Sequence, residues 1–222
     1  MNFLSHYYHE LPANDPYFIA GVIMPDILSN YSKRFGEKVR LNPSKLKKAN
    51  TKFIESVSIG VQQHYIVDGF FHDSDYFDEM TDEIEQIIRK HDFNCFPRRL
   101  FAFSHVFLEL MMDRVLLQND LTLGDGLYGI LEKVDEQNIK QYFEFQGLDS
   151  YASGIASHLL NFTNRKFLYH YLDDERFSSI LEMINSGFGN PVFTNKDKNE
   201  LKTVIYTFQE ILRVKDFPIF TS

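Results

Sequence analysis

The chain has 222 residues, a net charge of −8 and a single cysteine. Its length is enough to bury a sizeable core in one domain, and its acidic balance argues against general binding to nucleic acid or to an anionic membrane. Cys95 alone excludes an intrachain disulfide and a thiolate metal cluster, and it fits a reducing compartment.

The opening MNFLSHYYHE has neither the basic nor the apolar region of a signal peptide. No apolar run reaches the roughly 18–20 residues of a membrane span. A cytoplasmic protein without a membrane partner is therefore expected. With 22 Phe, 12 Tyr and no Trp, the core is expected to be packed from phenyl rings.

Asp15-Pro16 reads as a helix start, with the acid as N-cap and proline at the first helical position. The run YFIAGVIM is apolar nearly all round, and Pro25-Asp26 is expected to bend or end its helix. Residues 31–48 read as a loop with one short helix. Lys33, Arg34, Lys38, Arg40, Lys45, Lys47 and Lys48 there face only Glu37. A helix is expected from Thr51 to about Phe71, and another from Ser74 to Lys90, capped by Asp73 or Ser74.

Pro97 is expected to open a helix reaching about Gln118, with Gly124 and Gly126 marking a turn after it. Further helices are expected over Leu127–Val134, Glu136–Phe145, Tyr151–Asn161, Asp173–Ile184 and Asn195–Val214, with a loop at Gly187–Pro191. The aromatic C-terminal run VIYTFQEILRVKDFPIF is expected to pack internally. No repeat or linker interrupts the pattern, so the expected fold is all-α, one compact domain over 1–222.

Three polar sets do not suit an apolar core. His64, Asp68 and His72 recur every four residues and so share one helical face. An unbroken helix adds Asp75 to that face, whereas a break near Gly69 brings in Asp73. His105, Glu109 and Asp113 repeat the same spacing among Phe103, Phe107, Leu108 and Met111. His6 and Asp26 form the third set.

Buried polar groups must be paired or cost several kcal/mol each. A cation pairs several carboxylates and imidazoles at once, and His and Asp groups on separate helices suit an oxygen/nitrogen metal site in a helical bundle. Taken singly, each has an ordinary structural explanation: a hydrogen-bonded core histidine, a helix cap at Asp73, or ion pairs of Glu109 and Asp113 with Arg114.

The residues also resemble a family. MNFLSH is similar to the start of bacterial acyl carrier protein phosphodiesterases. AGVIMPDILSN resembles their next segment. GVQQHYIVDGFFHDSDYF matches a third at Gly60, His64, Asp68 and Asp73, and FSHVFLELMMD matches a fourth at His105, Phe107 and Leu108. Order and spacing agree from residue 1 to about 115.

The resemblance implies an HD-phosphohydrolase-like helical fold and a phosphodiesterase that releases 4′-phosphopantetheine from acyl carrier protein, its partner. It implies a divalent metal, Mn²⁺ first and Fe²⁺ or Zn²⁺ next. His6, Asp26, His64, Asp68, Asp73 and His105 become candidate metal or catalytic residues, with His72 as an added ligand. Asp26, Asp73 and Glu109 are the catalytic candidates.

The chain departs from the family at Tyr65, where arginine is expected, at His72 for threonine, and at Ser104 for an acid. Glu109 or Asp113 is expected to restore the lost charge. A catalytically degenerate binding protein, or a phosphohydrolase of nucleotides or phospholipid head groups, is the alternative. The fragments GVIMPD and FHDS resemble, more faintly, zinc-dependent phospholipase C-like proteins.

Overall fold

The computed structural model describes residues 1–96 and 99–215 and contains no strand among them. Ten α-helices follow in order: α1 Phe3–His9, α2 Pro16–Phe35, α3 Lys52–His72, α4 Asp75–Arg89, α5 Leu100–Asn119, α6 Leu121–Leu131, α7 Glu136–Gln146, α8 Asp149–Arg165, α9 Asp174–Gly187 and α10 Asn195–Val214. The all-α expectation holds. Pro97, expected to open α5, lies outside the described residues.

Local chemistry accounts for most of the boundaries. The Asp15 carboxylate accepts hydrogen bonds from the Tyr17 and Phe18 amides at 2.9 and 3.3 Å, and Gly36 closes α2 in the left-handed conformation. Ser74, not Asp73, caps α4 by accepting from the Phe77 amide at 3.2 Å. Thr194 and Asp197 form a reciprocal capping box at the start of α10.

Two expectations are corrected. α2 continues past Pro25 instead of ending there. Its segment Ile19–Met24 and the following Ile27 and Leu28 are all buried, and that burial outweighs the roughly 3 kcal/mol proline costs inside a helix. The loop expected from Tyr31 accordingly begins only after Phe35. Gly124 and Gly126 do not mark a turn but lie within α6. Gly126 sits where an added Cβ would come within 2.8 Å of the Tyr7 hydroxyl, so its small size serves packing.

The described residues form two compact units, 1–69 with 122–167, and 70–121 with 168–215. In the first, α1 packs on α2, α2 on α8 and α7 on α8. Two glycines set the crossing of α2 and α3. A Cβ on Gly21 would collide with the Val57 carbonyl oxygen, and one on Gly60 with the Phe18 carbonyl oxygen. The helices therefore touch backbone to backbone.

In the second unit α4 presents Phe77, Met80, Ile84, Ile87 and Ile88, and it packs on α5 and α10. Arg114 of α5 is buried there. Its guanidinium donates to Asp174 Oδ1 at 2.5 Å, to Gln209 at 3.3 Å and to the Tyr171 carbonyl, and it lies over the Phe177 ring. Asp174 thus pairs with Arg114. The described part of the C-terminal run packs internally through Val204, Ile205, Phe208 and Leu212; residues 216–222 lie outside the described residues.

Candidate metal centre

The glycine-mediated crossing decides the first cluster. With α2 and α3 so close, His64 on α3 reaches the Val22 carbonyl of α2 and contacts it through Nδ1 at 2.8 Å. A carbonyl only accepts, so Nδ1 carries a proton, and Nε2 of the neutral ring would be the ligand atom. This is the outer-shell arrangement that orients a metal-binding imidazole. His6 of α1 stacks on His64 with ring centroids 4.0 Å apart. Asp26, one turn beyond Val22 on α2, completes a group whose donor atoms lie within 4.8 Å of one another.

His6 Nε2 is buried without a hydrogen-bond partner. Asp68 Oδ1 lies 3.7 Å from it and also receives the Met1 amino group at 2.7 Å. Burial holds the His6 imidazole well below its ordinary value of 6.5, with His64 and the Met1 ammonium adding to the effect and Asp68 opposing it. Held neutral, the ring keeps one of its two nitrogens unprotonated for a ligand. Two neutral imidazoles and a carboxylate are the donors that zinc or another divalent transition metal takes, so these residues fit such an ion.

The second unit holds a second cluster. His72 at the end of α3, and His105 and Glu109 on α5, converge through Nε2, Nε2 and Oε1. The distances are 2.9 Å between the imidazoles, 3.1 Å from His105 to Glu109 and 3.4 Å from His72 to Glu109. Zinc with bonds of about 2.0–2.1 Å requires tetrahedral edges of about 3.3–3.4 Å. The three donors form a triangle slightly smaller than such a face and would hold the ion.

Burial alone would raise the Glu109 pKa, but nearby positive charge first, and then hydrogen bonds from His105 and His72, hold its carboxyl far below the usual range. Such a carboxylate is a good ligand and a poor proton acceptor. Phe77 closes the cluster edge-on against both imidazoles, with centroids 4.9 Å from each.

The remaining candidates are dispersed. Asp73 is exposed in the turn after α3, and Asp75 is exposed in the first turn of α4; neither joins a cluster. Asp113 is buried but belongs to neither group. Ser104 is buried, and the carboxylate in the second cluster comes from Glu109, one turn past His105. Tyr65 stands beside His64, its hydroxyl donating to the Leu41 carbonyl at 3.0 Å. That link was not read from the sequence, where nothing signals that the 36–51 loop returns to α3.

No helix among the described residues is long and apolar enough to cross a membrane. No curated protein and no solved structure matches the chain. A family model does match, that of zinc dependent phospholipase C, over residues 1–157. The match runs from α1 into the middle of α8 and takes in both donor clusters. It supports a divalent metal and names zinc where manganese was expected. On this match the chain belongs to the zinc dependent phospholipase C family, a family of metal-dependent hydrolases of the phosphodiesterase type.

Proposed function

We propose that the chain hydrolyses a phosphodiester with zinc held by His6, Asp26 and His64 and by His72, His105 and Glu109. The observation that carries this reading is the convergence of His72, His105 and Glu109 on a triangle close to a tetrahedral zinc face. Zinc bound to such donors polarises a phosphoryl oxygen and acidifies water. The Val22 carbonyl fixes the tautomer of His64. Asp68, one-quarter exposed at the edge of the first cluster, is placed to accept a proton from an attacking water. Asp26 serves as a ligand, and exposed Asp73 lies apart from the donors.

Two phosphodiesters have support. The resemblance of the first 115 residues favours 4′-phosphopantetheine on acyl carrier protein, and the basic residues of 33–48 would attract that acidic partner. The family match favours a phospholipid head group.

The test is metal content by mass spectrometry on the purified chain, followed by hydrolysis of bis(p-nitrophenyl) phosphate, holo-acyl carrier protein and phosphatidylcholine. Two zinc ions per chain are expected. The His64→Ala/Asp68→Ala pair should remove one and His105→Ala the other, each lowering turnover at least a hundredfold. A chain that takes up zinc but cleaves none of the three would be a degenerate binding protein. A chain that takes up no zinc, manganese or iron would end the hydrolase reading.

A further inference from the structure

We propose that Arg40 forms an anion subsite beside the His6–Asp26–His64 cluster and takes the non-bridging phosphoryl oxygens of the substrate. The inference rests on the metal-dependent reading of that cluster. It starts from the strap 39–41, which is held at three points. The Ser32 hydroxyl accepts from the Val39 amide at 3.2 Å and donates to the Val39 carbonyl at 3.3 Å. Val39 and Leu41 are buried, at 2% and 5% exposure. The Leu41 carbonyl receives the Tyr65 hydroxyl at 3.0 Å. With both neighbours pinned inward, Arg40 between them is exposed.

Tyr65 brings this strap to the cluster. It follows His64 directly, and the two rings meet edge-on at 5.4 Å. Its hydroxyl lies within electrostatic reach of Arg40, Asp26 and Asp68. Yet among the described residues Arg40 makes neither an ion pair nor a hydrogen bond.

Two other cations of the segment rest on aromatic rings. Arg34 lies over the Phe35 ring and Lys47 over Phe145. Arg40 alone combines a fixed backbone, an uncommitted fork of donors and a place beside the donor cluster. A planar guanidinium binds phosphate oxygens through two parallel hydrogen bonds. The ligand class is an anionic phosphate ester, with inorganic phosphate as its simplest representative.

The test is calorimetric titration of the zinc-loaded full chain with inorganic phosphate, using Arg40→Gln, Arg40→Lys and Lys38→Gln. Arg40→Gln should weaken phosphate binding about tenfold while zinc content stays unchanged. Arg40→Lys should fall between it and the wild type, because it keeps the charge and loses the fork. Lys38→Gln removes the same charge two residues away and should stay within about twofold of the wild type.

Wild-type affinity in Arg40→Gln would overturn the subsite, as would a zinc-loaded wild type that binds no phosphate. Equal weakening in Lys38→Gln would assign the effect to diffuse charge and overturn it too. A wild type that takes up no zinc ends the metal reading instead. Phosphate binding that then persists and still depends on Arg40 keeps the anion site, and its absence removes both.

Discussion

A neutral imidazole buried against a second imidazole makes the fold sensitive to acid. Below about 6.5 the unfolded chain protonates His6, while the folded chain resists doing so because burial penalises the charged ring. The unfolded state then binds more protons, so stability falls as pH drops below that value and gains nothing from this residue above it. Metal-free protein should show a urea midpoint that declines between about pH 7.5 and about pH 5.5. His6→Gln should flatten that decline, and an unchanged slope would place its origin elsewhere. Glu109 acts in a lower window: its depressed pKa contributes stability above the ordinary 4.5 that is lost only in stronger acid.

Helix spacing alone places His64 with Asp68 and His105 with Glu109. It does not pair His64 with His6, or His72 with His105, because those meetings depend on helix crossings. The crossing of α2 and α3 is the most exposed to test. Gly60→Ala puts a methyl group against the Phe18 carbonyl oxygen. It should cost about 2 kcal/mol in urea denaturation of the metal-free chain and lower zinc occupancy of the first cluster. Gly69→Ala on the same helix meets nothing within 4 Å and should be neutral or stabilise by up to about 1 kcal/mol. Equal behaviour of the two variants would refute the backbone contact as the determinant of the crossing.

The element boundaries divide along the same line. The caps at Asp15, Ser74, Asp135 and Thr194 are local, and sequence reading found or nearly found each helix they begin. Pro25 and the pair Gly124 and Gly126 misled it. A proline is carried through a helix, and glycines are kept inside one, only when neighbouring elements bury the segment.

At the scale of the molecule, each compact unit carries one donor triad, so metal should stabilise the native state as a ligand does. Zinc at a hundredfold excess over its Kd contributes about 2.7 kcal/mol per site. Removing it with a chelator should lower the Tm measured by scanning calorimetry. Loss of either triad through His64→Ala/Asp68→Ala or His105→Ala should remove part of that shift, and an identical Tm with and without chelator would argue against bound metal. Arg114 offers a metal-independent reference within the second unit. Arg114→Ala leaves Asp174 and Gln209 without their shared donor and should cost about 3 kcal/mol whether or not zinc is present.

The sequence by itself determined the all-α class, most helix boundaries and the shortlist of His and acidic residues, because periodicity, caps and i,i+4 spacing are properties of a single helix. It also pointed to a divalent metal, since so many imidazoles and carboxylates beside apolar residues need a common partner. Only the tertiary structure decided which of them meet. It brought His64 to Asp26 through a glycine crossing and stacked His6 on His64, grouped Glu109 with His72 and His105, left Asp73 and Asp75 at the surface, and brought the Arg40 strap to Tyr65. Those outcomes depend on where separate helices and one loop come together, and backbone contacts between distant segments leave no period in the sequence from which to read them.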